Sequence, residues 1–272
     1  MSAIIKNPNA YRLGILREVA NFCEVHDIAC LLTWGSLLGA VREGGIIPWD
    51  YDIDLMMPRE DYKRFVETFQ SESGRYQLWD SETTQDFKGK LGLVVDTCTE
   101  CVNLKLTEKS PIKHLSVEIY VFDIAPSDER EREALLVKMG KLSQINRLKT
   151  SYWASGRSFI KNVASLVLRT VLAPIPELRM MRKAIDKVEP GANVQYASIN
   201  SIRPYCELCV PASFFRSTEI VNFSGVECRI PKDYHPFLSF IYGDYMTPPS
   251  AEDRKSSEAL RDACVYRDIR NE

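Results

Sequence analysis

From Asn9 to Val25 apolar residues recur at helical spacing: Tyr11, Leu13, Ile15, Leu16, Val19, Ala20 and Cys23 fall on one side of an amphipathic helix. The pattern then shortens. Ile28 to Trp34, IACLLTW, is a continuous apolar run ending at Gly35 and predicts a buried strand. Ser36 suits the N-cap of a short helix, SLLGAVRE, which Gly44-Gly45 breaks. From Asp52 to Met57 acid and apolar residues alternate with the period of a strand. Pro58 to Gln70 predicts a helix, with proline and acids in the first turn and Tyr62, Phe65, Val66 and Phe69 on one face. YQLWD (76–80), LGLVVD (91–96), CVNLKL (101–106) and LSVEIYVFDIAP (115–126) read as further strands. Asp128 to Arg147 reads as a polar-to-basic helix. YASIN (196–200) through FSGVECRIPKDY (223–234) reads as short strands and turns, and HPFLSFIYGDY (235–245) as a helix broken at Gly243. The charged tail after Pro248 reads as loosely packed. With no internal repeat, the pattern predicts an α/β or α+β fold whose one mixed sheet carries the aspartates.

Composition adds little until charge is mapped. The 272 residues are 45% hydrophobic and 26% charged, ordinary for a soluble globular chain. The first residues, MSAIIKNPNAYRLG, lack the basic and long apolar regions of a signal peptide. Eight scattered cysteines are expected to be reduced thiols. Cys98/Cys101 and Cys206/Cys209 each form a CxxC, but about a hundred residues separate the pairs, so buried thiols are preferred to zinc. His26, His114 and His235 show no metal-ligand spacing. The net charge of −2 conceals an asymmetry: Lys138 to Lys187 holds eleven basic residues against Glu177 and Asp186, a net +9, leaving −11 elsewhere. Such a block predicts an anionic partner on one face.

Chemistry concentrates at Asp50, Asp52 and Asp54, three acids in five residues behind Pro48-Trp49. On a strand, residues two apart share a face, so these carboxylates would point one way, about 7 Å apart, with Tyr51, Ile53 and Leu55 opposite. Paired carboxylates suit a hard divalent cation, and the Gly35-Ser36 turn upstream could cradle a phosphate. Asp52 and Asp54 are the expected metal ligands, with Asp50 less secure because it belongs to the incoming loop. The alternative is a solvated acidic turn. For the third carboxylate, Asp123 stands between Phe122 and Ile124, where an unpaired acid is costly; Glu118 is the weaker alternative.

WGSLLGAVREGGIIPWDYDIDLMMPREDY (34–62), VFDIAPSD (121–128) and VNFSGVECRIPKDYHPFLSFIYGDYMTPP (221–249) resemble, in order, the signature blocks of the LicD family, the phosphocholine-transferase relatives that include fukutin. The resemblance implies an α+β, nucleotidyltransferase-like mixed sheet with flanking helices. It divides the chain into a catalytic core (1–137), a basic helical insertion (138–190) and a C-terminal part of the same domain (191–272) with the closing YGDYM block. It further implies an enzyme that moves phosphocholine, or another phospho-alcohol such as ribitol phosphate, from a CDP-activated donor to a hydroxyl of a glycan or lipid-linked glycan precursor, releasing CMP. Asp52, Asp54 and Asp123 would hold Mg²⁺, with Mn²⁺ as the alternative; Asp123 could also accept the acceptor's proton. Gly35 and Ser36 would touch donor phosphate. The implied location is cytoplasmic, at the inner face of the membrane. Tyr51 departs from the family pattern, which has an aspartate there; alternation would turn it away from the metal. Two other readings stay open: a nucleotidyltransferase releasing pyrophosphate from an NTP, and an inactive relative acting as a scaffold.

Arg42 suits bidentate phosphate contact as well as it suits a helix-end salt bridge with Glu43 or Glu60. Lys88 and Lys90 could reach a pyrophosphate, though solvated loop lysines are the plainer reading. Tyr242 and Tyr245 could stack on a base or simply pack. Arg157, Lys161 and Arg169 recur at multiples of four in RSFIKNVASLVLRTVLAPIP, a basic stripe on an apolar helix too short to span a bilayer. That helix over 157–173 would lie on an anionic membrane or, preferably, pack on the core with its basic face in solvent. Nucleic acid is not expected, since aromatics interleaved with the basic block are lacking beyond Tyr152 and Trp153.

Overall fold

The strongest alternating segments condense into one mixed sheet. The computed structural model describes residues 3–270 apart from 82, 85, 86, 88, 103–112, 150–157, 202–204 and 264. In chain order the elements are α1 (Pro8–Val25), β1 (Leu31–Leu32), α2 (Trp34–Arg42), β2 (Asp54–Pro58), α3 (Arg59–Thr68), β3 (Tyr76–Trp79), β4 (Gly92–Asp96), β5 (Thr99–Cys101) and β6 (Ser116–Ile124). There follow α4 (Glu129–Lys149), α5 (Phe159–Leu172), α6 (Glu177–Ile185), β7 (Gln195–Ala197), β8 (Val210–Pro211), β9 (Thr218–Phe223), β10 (Val226–Pro231), α7 (Tyr234–Tyr242), α8 (Ala251–Ala263) and β11 (Tyr266–Asp268). The main sheet runs β3-β4-β6-β2-β1-β10-β9, with β7 added to β6 and β8 to β7. The β2/β6 and β1/β10 pairs are parallel and the rest antiparallel. The fold is therefore α+β, as expected.

Local chemistry explains the element ends. Asn7 caps α1 by accepting the Ala10 N–H, with Pro8 in the first turn. Phe223 pairs with Val226 across a two-residue turn, Ser224-Gly225, both at positive φ, the geometry a tight hairpin demands. Gly243 ends α7 at φ 64°. Ile15, Leu16, Val19 and Cys23 of α1 pack on Leu32, Leu55, Met56, Val117, Ile119 and Phe122 of the sheet. A second, smaller core joins α4 and α6 through Leu136, Met139, Leu142, Met181 and Ile185, against Ala125, Ala197, Ile199 and Cys206.

Three expectations need correction, and one element was not foreseen. The apolar run 28–34 yields only the two residues of β1. Strand β2 begins at Asp54, so Asp50, Tyr51 and Asp52 form an irregular lead-in. The described part of the tail forms two elements: Ser250 Oγ accepts the Asp253 N–H to start α8, and β11 pairs with β5. The helix α6 had no counterpart in the sequence pattern. The implied insertion boundary at 138 falls inside α4, and Lys88, Tyr152, Trp153 and Arg157 lie outside the described residues. Among the described residues no single helix is long and apolar enough to cross a membrane; α5 and α6 together are, but they bend by 57° at their junction.

Asp123 ends at the far end of β6, 0% exposed, in a bidentate pair with Arg59: Nε to Oδ1 2.6 Å, Nη2 to Oδ2 3.0 Å. Burial pushes its carboxyl up and the guanidinium pulls it back. Removing one partner strands a buried charge, so Arg59→Ala is expected to lower stability by about 3–5 kcal/mol in urea unfolding. Buried Glu177, on α6, accepts hydrogen bonds from Lys149 Nζ (2.5 Å) and Asn146 Nδ2 (3.2 Å). Burial raises this carboxyl, but those partners outweigh it and hold it below its usual 4.5. Stability from the depressed carboxylate is present above that value and lost as pH falls through the folded one. Glu177→Gln should therefore cost about 1–3 kcal/mol at neutral pH, and the difference from the unaltered chain should vanish in strong acid.

Candidate active site

The turn from β1 into α2 is built around Trp34, at φ +44°, a strained value for a bulky residue. Its ring holds the turn down, stacked on Phe237 (5.2 Å) and Phe122 (6.0 Å) and met edge-on by Tyr205 (4.8 Å). Next comes Gly35, where a Cβ would stand 2.6 Å from Asp50 Oδ2; only glycine lets that carboxylate lie against the backbone. Buried Ser36 accepts the Asp54 N–H at its Oγ (2.9 Å), and Asp54 O accepts the Thr33 N–H (3.0 Å). These bonds tie the start of α2 to the start of β2.

Parallel pairing sets Asp54 beside Glu118 of β6. The carboxylates are thereby crowded. Burial first, then Asp50 and Glu118, push Asp52 up to about 8; Arg12 on α1 opposes this. Asp54 is raised well above its ordinary value by burial, Asp52, Glu118 and Asp50, and Glu118 is raised by burial against the pull of Tyr120 and Arg12. Asp54 Oδ1 is buried with no hydrogen-bond partner. Asp50, Tyr51, Asp52 and Asp54 line one cleft of about 510 Å³ with Gly35, Lys90, Tyr120, Asn200, Tyr205 and Tyr242. Glu118, beside Asp54 in the sheet, is not one of the lining residues. A neighbouring cavity of about 480 Å³ shares Lys90 and Asn200 and is basic, lined by Arg59, Arg179, Arg182 and Lys183 as well as Asp80 and Asp186.

The expected residues divide clearly. Gly35, Asp52, Asp54, Lys90 and Tyr242 are brought together. Lys90 is not a solvated loop lysine: it donates to Asn200 O (3.0 Å) and Ser143 Oγ (3.3 Å), and burial lowers its pKa. Ser36 supports the site from behind. Asp123 is not brought to the cleft; it lies five residues beyond Glu118, about 16 Å along the strand, and Arg59 occupies both its oxygens. Arg42 is also elsewhere: it donates to Glu43 Oε1 (2.8 Å) and Tyr245 O (3.0 Å) and lies over Trp49, so the salt-bridge reading holds. Tyr51 lines the cleft instead of turning away, because the lead-in is not a strand; burial and the surrounding carboxylates push its hydroxyl up to about 12. Sequence reasoning missed Arg12, Asn200 and Tyr205. Arg12 shares the buried face of α1 with Ile15, Leu16 and Val19, and a charge on that face was a readable signal.

Among the described residues no three Cys, His, Asp or Glu side chains form a ready-made metal set, so neither the CxxC pairs nor the cleft is a preformed coordination cage. The cleft does fit a divalent cation of the Mg²⁺ kind, which takes one or two carboxylates and fills its remaining positions with water and substrate oxygens. The unpartnered Asp54 oxygen and the raised Asp52 are what such an ion would relieve.

Residues 27–176, more than half of the chain, match the family described as LicD/FKTN/FKRP, nucleotidyltransferase domain. The chain belongs to the LicD family. The lipopolysaccharide cholinephosphotransferase LicD of Haemophilus influenzae is 26% identical over 254 residues, covering 89% of this chain and 91% of that protein. The ribitol 5-phosphate transferases FKRP of mouse and human are each 38% identical over 84 residues, 28% of this chain and 17% of theirs. The LicD match contains the Gly35 turn, the aspartates and Glu118, while Asn200, Tyr205 and Tyr242 close the cleft from beyond it. Because like charges are held together in a buried setting, Asp52→Asn is expected to raise stability in chelator-containing buffer at neutral pH by about 1–2 kcal/mol, read by urea unfolding.

Proposed function

We propose that this LicD-family chain transfers a phospho-alcohol, phosphocholine by preference, from a CDP-activated donor to a hydroxyl of a glycan or lipid-linked glycan, releasing CMP. The observation that carries this reading is the acidic cleft itself: Asp52 and Asp54, the latter with an unpartnered carboxylate oxygen, line it together with Gly35 at the head of α2, and Asp50 lies against that glycine. Asp52 and Asp54 would hold Mg²⁺ or Mn²⁺, with water and substrate oxygens in the remaining positions. Held there, such an ion would supply positive charge to offset that of the donor's diphosphate. The N-terminal turn of α2 and Lys90 hold the phosphate oxygens. The acceptor oxygen attacks the phosphorus bearing the alcohol, its bond to the CMP oxygen breaks, and the hydroxyl proton passes to a carboxylate of the cleft.

Choline is preferred over ribitol for two reasons. The choline-transferring relative matches along nearly the whole chain, the ribitol-transferring ones over 84 residues. A quaternary ammonium is bound by aromatic faces, and Tyr51, Tyr120, Tyr205 and Tyr242 all line the cleft. The basic cavity beyond Lys90 suits an acceptor that carries phosphate or another anion.

Calorimetric titration of CDP-choline with and without Mg²⁺ tests this. Metal-dependent binding is expected, lost in Asp52→Asn and Asp54→Asn and retained in Asp123→Asn where that variant folds. Tyr205→Ala should weaken CDP-choline by about ten-fold while changing CDP-ribitol less. Binding of an NTP with release of pyrophosphate would favour the nucleotidyltransferase reading instead, and no metal-dependent binding of any nucleotide would leave the scaffold reading.

A further inference from the structure

Helix α5 is built inside out. Asn162 is 3% exposed and Ser165 half-buried, whereas Phe159 (71%), Ile160 (79%), Leu166 (57%), Val167 (55%) and Val171 (66%) face solvent. At 3.6 residues per turn these apolar positions make one contiguous face, and a helix packed on a core shows the reverse arrangement. The expectation of a core-packed helix with a solvated basic face is thus corrected. Fourteen residues rise about 21 Å, short of a hydrocarbon core of about 30 Å. Helix α6 cannot extend the span, because Glu177, Met181, Ala184 and Ile185 are buried in the protein's second core.

Charge identifies what covers this face. From Ala134 to Pro176 the chain has seven Lys or Arg and no Asp or Glu. Lys161 and Arg169 lie two turns apart in one stripe on the side of the helix away from the apolar face, and both are exposed. Two copies of the chain joined along α5 would bring two such basic blocks together, with no acid between Ala134 and Pro176 of either copy to offset them. A bilayer with anionic headgroups supplies both an apolar layer and phosphates, and long basic side chains can bury their stems while their charges reach the headgroups.

We propose that α5 is an in-plane docking helix for the surface of an anionic phospholipid bilayer, with Phe159, Ile160, Leu166 and Val171 below the headgroups and Lys161 and Arg169 on the upper side of the helix, within the reach of the negative surface potential. This docking is independent of the reaction assigned to the cleft. Flotation of the full chain with phosphatidylcholine vesicles, with and without phosphatidylglycerol, tests it. The unaltered chain should float with the phosphatidylglycerol vesicles, and roughly ten-fold less with phosphatidylcholine alone. Ile160→Ser/Leu166→Ser and Lys161→Glu/Arg169→Glu should each lose roughly ten-fold in binding, the first with an unchanged melting temperature, since Ile160 and Leu166 are exposed. Phe159→Trp should show a blue-shifted emission when anionic vesicles are added. Absence of vesicle binding, or binding that both double variants retain, would overturn the proposal. So would a concentration-dependent dimer without vesicle binding that Ile160→Ser/Leu166→Ser dissociates, which would assign the face to a second copy.

Discussion

Mutual repulsion among Asp50, Asp52, Asp54 and Glu118 is the constraint around which the rest of the site is arranged. Parallel pairing of β2 with β6 sets Asp54 beside Glu118, and the Gly35 turn lets Asp50 approach the backbone closely. Burial then magnifies the repulsion, because the same charges interact more strongly away from water. Inside the protein Arg12 counters part of it, acting on Asp52 and Glu118 from α1. An arrangement that works against its own folding in this way is usual where a protein keeps a site ready for an external cation.

The fold carries its other buried acids differently. Asp123 and Arg59 satisfy one another through two bonds, and Glu177 is held by Lys149 and Asn146. Those groups stabilise; the cleft carboxylates do not. One strand, β6, holds both kinds, with Glu118 at the acidic cleft and Asp123 paired near its other end. Burial alone therefore does not mark a functional acid; the presence or absence of a built-in counter-charge does.

Beyond the sheet, the helices α4 and α6 form a second core, and α5 projects from it with its apolar face outward. The acidic cleft meets the basic cavity at Lys90 and Asn200, so opposite electrostatic environments lie within one continuous surface. Such a junction suits a reaction between an anionic donor needing a cation and an acceptor bearing its own negative charge.

Periodicity along the chain was enough to place α1, α2, α3, β2, β4, β6 and α7 within a residue or two, because each buries a face whose spacing is written in its own residues. The three acids beside a Gly-Ser turn were legible for the same reason. The partner of Asp54 was not. Asp123 and Glu118 are both acids on one alternating strand, and only the register of β6 against β2 decides which stands beside the cleft. Tyr51 was misread because alternation was carried back to Asp50, four residues before the true start of the strand. The direction of α5 was equally hidden: its residues specify an apolar face and a basic stripe, but not which side meets the protein. Sequence determines the periodicity and chemistry of each element; register, burial and the choice of counter-charge arise only when distant segments meet, and here those contacts separate the crowded carboxylates of the cleft from the paired ones.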